Sequence, residues 1–166
     1  MKNLSLFMLF FFAAVFNNVI FAAPLNGNYP LAPEATAEEA RLKVIEAGKT
    51  YEGTPYRYTG ITTRGLDCSG FIYVSFRDAL GVTVPRSTSG LYSWTEIIPF
   101  TEARPGDLLF FRTGTTRSIN HVGLYLGGLR FIHSASHGQK TGVIYSSLTE
   151  RYWAYAYAAV GRVFGE

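Results

Sequence analysis

Cysteine is almost missing from this chain: 166 residues carry one, Cys68. A disulfide framework within the chain is therefore excluded. Charge is sparse too, at 16% of residues, and the two signs nearly cancel to leave +3. A balance this small lacks the concentrated basic face that nucleic-acid recognition needs, so nucleic acid is not an expected partner. Internal repeats and low-complexity tracts are also wanting. What the chain has in quantity is apolar and aromatic: 48% hydrophobic residues, with 11 Tyr, 13 Phe and 2 Trp. That content excludes a disordered chain. The aromatics favour strands over a helical bundle, and the length is that of one domain.

After Lys2 no charged side chain occurs until Glu34, and Leu4 to Phe16 is almost wholly apolar. A short basic start, an apolar stretch and a small-residue end at Ala22-Ala23 read as a secretory signal over residues 1–22. The competing reading is an uncleaved anchor, because Leu4 to Ala22 could nearly span a bilayer. Asn17 and Asn18 interrupt that run and favour the signal. No cysteine follows it, which leaves no site for a lipid anchor. Residues 23–36, rich in Pro, Asn and Gly at first, read as a linker, and 37–166 as the folded domain. Losing Lys2 with the leader takes the charge from +3 to +2. A periplasmic or secreted monomer is expected, without stable membrane association after cleavage.

Thr36 with Glu39 three residues on is a capping-box signature. Ala40, Val44 and Ala47 follow at helical spacing, which predicts a helix from about Ala37 to Thr50. Asp67 as N-cap and Gly81 as stop predict a second helix over Cys68 to Leu80, with Phe71, Val74 and Ala79 facing inward. Past Arg104-Pro-Gly-Asp107 the pattern turns to strands. Leu108 to Phe111 is a short apolar run. His121 to Leu126 and Leu129 to His133 flank Gly127-Gly128, a two-residue hairpin signal. Thr141 to Tyr145 and Tyr155 to Phe164 read as further strands. Helices first and strands afterwards predict an α+β domain with an antiparallel sheet.

Cys68 carries the most information. It is buried, paired with another molecule, or a working thiol. The first turn of a helix favours the last, because unpaired N–H groups and the helix dipole there favour negative charge. A thiol so placed is expected below its free pKa of about 8.5. Gly65 and Gly70 flank it and would let a substrate backbone approach. His121 and His133 lie at the outer ends of the two hairpin strands, on one edge of the sheet. One imidazole could take the thiol proton while the other orients it. Each is also open to a plain structural role. His137, in the polar loop Ser134 to Gly138, reads as solvated. The rival use of Cys68, His121 and His133 is a three-ligand zinc set. No pair among them has the close spacing usual in such sites.

Six blocks then occur in a familiar order: Thr54-Pro-Tyr-Arg-Tyr-Thr-Gly60, Leu66-Asp-Cys-Ser-Gly-Phe71, Val84-Pro-Arg-Ser87, Arg104-Pro-Gly-Asp-Leu-Leu-Phe-Phe111, Asn120-His-Val-Gly-Leu-Tyr125 and Phe131-Ile-His-Ser134. From about Val44 to Val163 the chain resembles the NlpC family of papain-like bacterial cell-wall cysteine peptidases. The resemblance implies a papain-like α+β fold, with N-terminal helices packed on a central antiparallel sheet. It implies Cys68 as nucleophile, His121 as general base and His133 as the residue that orients the base. Tyr56 matches a tyrosine near the nucleophile that helps stabilise the oxyanion. Asp67 and Ser69 match positions that in some members hold the free amino end of a peptide; for Asp67 the helix-cap reading stands equal. Arg86 and Asp107 look like turn residues that position the sheet. One departure is that family members often carry a Gln soon after the Pro-Arg block, where this chain has Ser87-Thr-Ser-Gly-Leu91.

The expected activity is thus hydrolysis of amide bonds in peptidoglycan stem peptides, a murein endopeptidase without metal or organic cofactor. Two other readings stand beside it: a non-catalytic wall-binding or adaptor protein on the same fold, and a wall-degrading toxin directed at competitors.

Overall fold

The computed structural model describes residues 36–138 and 140–165. The expected leader, 1–22, and all but the last residue of the expected linker, 23–36, lie outside them.

Helix α1, Ala37–Lys49, starts at the capping box that the sequence announces. The Glu39 N–H donates to Thr36 Oγ1 at 3.2 Å, and the Thr36 N–H donates to Glu39 Oε2 at 3.0 Å. Helix α2, Cys68–Leu80, is capped by Asp67, whose Oδ1 accepts from the Gly70 N–H at 2.7 Å. It stops at Gly81, which takes the left-handed conformation, φ 68°. Phe71, Ile72, Val74 and Phe76 are buried. Ala79, expected inside, is only half-buried, and Ser75 is buried instead. Ser75 meets its need locally by donating to the Phe71 carbonyl at 2.8 Å.

Between the two helices lies a small hairpin, β1 (Ile61–Thr62) and β2 (Gly65–Leu66). Helix α3, Thr88–Trp94, follows α2 and leads into β3, Glu96–Ile98. The remaining strands are β4 (Leu108–Phe111), β5 (His121–Gly127), β6 (Arg130–Ala135), β7 (Gly142–Ser147) and β8 (Tyr157–Arg162). Strands β3 to β8 form one antiparallel sheet in the order β3-β8-β4-β5-β6-β7. The α+β architecture is therefore as the sequence leads one to expect.

The two faces of the sheet are both covered. Leu108, Phe110, Val122, Leu124 and Ile132 pack with Val44, Phe71, Ile72 and Phe76 of α1 and α2. Leu109, Phe111, Tyr125, Phe131 and Val160 face the other way, against Trp153 and Ala156. Those last two belong to α4, Arg151–Ala156. This helix replaces the first part of the strand expected from Tyr155. Tyr155 is 90% exposed, so its aromatic character marks a helix surface and not a buried strand. The hairpin turn is also displaced by one residue. Gly128 and Leu129, both at positive φ (57° and 64°), form the two-residue loop. Gly127 pairs with Arg130, and an irregularity between Tyr125 and Gly127 absorbs the shift.

Several ties fix the start of α2 against the sheet. Ser134 Oγ donates to the Leu66 carbonyl at 2.7 Å, joining β6 to the residue two before Cys68. The Leu66 N–H donates to the Pro55 carbonyl at 3.0 Å, and the Arg57 N–H to the Leu66 carbonyl at 3.1 Å. A Cβ added at Gly70 would lie 2.1 Å from the Gly60 carbonyl oxygen, and one at Gly65 would lie 2.4 Å from Arg57 Cβ. The room these glycines leave is thus taken by the chain itself, not kept for substrate. Gly70→Ala is expected to destabilise the fold by about 1–3 kcal/mol, because a backbone carbonyl must move. Urea unfolding would read this, and an unchanged midpoint would show that the 57–60 turn yields freely.

Candidate active site

Cys68 opens α2 and is nearly buried, 9% exposed. Its Sγ lies 3.5 Å from the hydroxyl oxygen of Thr88, on the first turn of α3. It also meets the backbone beside His121: the Asn120 carbonyl oxygen is 4.0 Å away, and the Val122 N–H is near enough to favour the charged form of the thiol. Asn120 is held in place by its own side chain. Its Oδ1 accepts from the Thr113 N–H at 2.8 Å, and its Nδ2 donates to the Thr113 carbonyl at 3.1 Å.

The two expected imidazoles do come together. His121 Nε2 and His133 Nδ1 are 2.8 Å apart, and both rings are buried. His133 Nε2 lies 3.0 Å from Ser146 Oγ on β7. Trp153 covers the pair from α4. It stacks on His121, with centroids 5.4 Å apart and planes at 28°, and meets His133 edge-on at 4.7 Å. Phe111 and Phe131 close the sides. This apolar sleeve keeps water off the imidazole-imidazole bond. His137 stays outside, exposed, with its Nδ1 2.8 Å from Ser136 Oγ.

Tyr56 is half-buried and forms an isolated bridge with Leu66. Burial pushes its phenol up, and the nearby charges of Cys68 and Asp67 push it further the same way. Asp67 and Ser69 are not free. Arg86 grips Asp67 with two bonds, Nη1 to Oδ1 at 2.8 Å and Nη2 to Oδ2 at 2.7 Å. The same guanidinium donates to Ser69 Oγ at 2.9 Å and to the Gly60 carbonyl at 3.1 Å. Arg86 therefore braces the start of α2 instead of shaping a turn. Asp107 does act at a turn: it is buried, accepts from the Arg104 N–H at 2.8 Å and pairs with Arg162 at 3.2 Å.

Burial overrides the helix-start effect on the thiol. Desolvation pushes Cys68 up, and the Asp67 carboxylate adds to this. The Thr88 hydroxyl and the N–H groups of Val122 and Ser69 pull the other way without winning. The expectation of a depressed thiol is thus reversed, because it left out the cost of burying a thiolate. The same cost pushes His121 down to about 4 and His133 down as well, so both imidazoles are neutral at rest.

This has a consequence for stability. His121 binds its proton less readily when folded than at the ordinary value near 6.5, so the unfolded chain takes up more protons and stability falls as pH falls. Between pH 7 and 5 His121 alone is expected to cost about 2 kcal/mol, and His133 acts in the same direction. Urea midpoints at the two pH values test this, and equal midpoints would mean that the imidazoles are not buried neutral.

Among the described residues no group of three or more His, Cys, Asp or Glu side chains is placed to hold a metal ion. Cys68, His121 and His133 do not converge on a common point, since His121 Nε2 and His133 Nδ1 face each other. Three residues beside the site escape the sequence reading. Thr88 sits just past the Pro85-Arg86 motif, on a helix too short to show a periodicity. Ser146 is the second-last residue of β7, beyond the expected strand end at Tyr145. Trp153 lies on α4, a six-residue helix that the sequence reading leaves unassigned.

The NlpC/P60 family model matches residues 53–162, about two thirds of the chain and the whole of this site. The chain belongs to the NlpC/P60 family. It is 44% identical over 105 residues to the probable endopeptidase NlpC of Escherichia coli K12, covering 63% of this chain and 66% of that one. It is 35% identical over 125 residues to the murein DD-endopeptidase MepS/murein LD-carboxypeptidase of the same strain, covering 75% and 64%. The chain thus spans just under two thirds of the length of both relatives. A crystal structure of an NLP/P60 family protein similar to a lipoprotein, from Staphylococcus aureus Mu50, superposes with a TM-score of 0.66 at 34% identity, over 78% of this chain and 43% of that one. The papain-like fold follows from this match.

Proposed function

We propose that this NlpC/P60 chain is a cysteine peptidase that hydrolyses amide bonds in peptidoglycan stem peptides. The observation that carries the reading is the buried His121–His133 bond at 2.8 Å, beside the sulfur of the chain's one cysteine, which lies 4.0 Å from the carbonyl oxygen of Asn120, the residue before His121. The names of the relatives, murein endopeptidases among them, supply the substrate class.

In the proposed mechanism Cys68 is the nucleophile, His121 the general base and His133 the residue that orients it. The Nε2 of His121 is engaged with His133, so the thiol proton passes to Nδ1. Because thiol and imidazole are both neutral at rest, transfer accompanies the attack of sulfur on the carbonyl carbon. N–H groups at the start of α2, with Tyr56, stabilise the oxyanion. Collapse breaks the C–N bond, and His121 returns its proton to the leaving amine. Water, activated by the same imidazole, then hydrolyses the thioester. Asp67 and Ser69, buried at the helix start, stand at the positions proposed to meet the amino end of the substrate. Arg86 already neutralises Asp67, so the amino end of a stem peptide would meet a paired carboxylate. No step calls for a metal or an organic cofactor.

We further propose that the first 22 residues direct export, that residues 37–166 form the peptidase domain, and that it acts as a periplasmic or secreted monomer without stable membrane association. Among the described residues no helix is long and apolar enough to cross a membrane.

Digestion of purified muropeptides followed by mass spectrometry tests the reading and identifies the bond. The two candidates are the link between D-Glu and the diamino acid and the cross-link between stems. New fragments differing from the substrate by hydrolysis of one stem amide are expected. Muropeptides that return intact would favour the adaptor reading.

A further inference from the structure

Ser146 has no place in the mechanism above, yet its hydroxyl ends the imidazole chain. Its Oγ is 3.0 Å from His133 Nε2, and the side chain is buried. Strand β7 pairs Ser146 with Phe131, which puts it diagonally across from His133 on the face that Trp153 covers.

The protons in this chain can point in either of two directions. In the first, His121 Nε2–H donates to His133 Nδ1, and His133 Nε2–H donates to Ser146 Oγ. His121 Nδ1 then carries a lone pair. In the second, the Ser146 hydroxyl donates to His133 Nε2, and His133 Nδ1–H donates to His121 Nε2. His121 then holds its proton on Nδ1 and has no lone pair there to receive the thiol proton. Only the first direction lets His121 receive the thiol proton. Once it has done so, both of its nitrogens carry protons and the second direction is impossible.

We propose that Ser146 is a positioning residue: by accepting from His133 Nε2 it holds His133 in the Nε2–H tautomer and so keeps His121 Nδ1 open to the thiol. The inference rests on the roles proposed for Cys68 and His121. No proton travels along the chain; the one that moves goes from Cys68 Sγ to His121 Nδ1. Ser146 matters most when His121 is cationic, so its contribution is to the transition state more than to substrate binding.

Nitrogen-15 spectra of the imidazoles in the full protein at neutral pH test this directly, since the tautomer is otherwise an assignment. Both His121 and His133 are expected as Nε2–H tautomers. Ser146→Ala should mix the tautomers and lower kcat roughly 10- to 100-fold with KM nearly unchanged, the scale of one lost buried acceptor. Ser146→Thr should restore both signals. A wild-type His133 protonated on Nδ1 would overturn the proposal, and so would Ser146→Ala with unchanged tautomers, whatever its kcat. The spectra need no turnover. An active Cys68→Ala protein would therefore sink the proposed mechanism without being mistaken for a failure at Ser146.

Discussion

Cys68→Ala is expected to lose hydrolysis of muropeptides by several powers of ten while keeping its fold. No other thiol exists in the chain to take over. The neighbouring Thr88 hydroxyl, 3.5 Å from the sulfur, is an alcohol without a base of its own among the bonds seen. Removal of a nucleophile from a site that works as a unit typically costs about as much as removing the whole unit. The packing change is small, because sulfur gives way to a hydrogen atom at a nearly buried position. About 1 kcal/mol of stability should go with it. Assay of the variant beside its urea midpoint separates chemistry from folding. A variant that unfolds at the wild-type midpoint and still turns over normally would remove Cys68 from the mechanism.

His121→Ala is expected to cost at least about a thousandfold in kcat, for a different reason. With the thiol pushed up by burial, little thiolate exists at neutral pH and the base is needed in every turnover. The substitution also leaves His133 Nδ1 without its partner at 2.8 Å and opens a space under Trp153. A stability loss of about 2–4 kcal/mol is therefore expected at neutral pH. The loss should shrink at pH 5, where wild type bears the cost of keeping this imidazole neutral. His133→Asn should lose less activity, since an amide oxygen can still accept from His121 Nε2–H. His137→Ala should change neither rate nor midpoint, because His137 stands in an exposed loop. Kinetics and urea melts of the three variants would show the order. Equal losses from His121 and His137 would contradict it.

The parts of this fold that could be read from sequence are those where local chemistry decides. Thr36 with Glu39, and Asp67 with Gly81, bound α1 and α2 because capping is a contact between near neighbours. His121 and His133 could be paired because a hairpin fixes which strand ends meet. The turn lies one residue beyond the Gly-Gly signal, since Gly127, Gly128 and Leu129 all take positive φ and the irregularity near Gly127 has no signature of its own. Arg86 could not be assigned to Asp67, nor Ser146 to His133, because each contact joins elements that only the folded chain brings together. The direction of the thiol's pKa is hidden in the sequence for the same reason: the helix start is local, and the burial that overrides it is not. The short helices α3 and α4 gave no periodicity, so Thr88 and Trp153 went unplaced beside the site they line.

The most direct test of the central claim uses the solitary cysteine. Because Cys68 is the one thiol, intact mass after graded treatment with iodoacetamide gives the fraction of that residue alkylated. Residual muropeptide hydrolysis should fall in direct proportion to that fraction and reach zero at full alkylation. Activity that persists in fully alkylated, folded protein would contradict a Cys68 nucleophile.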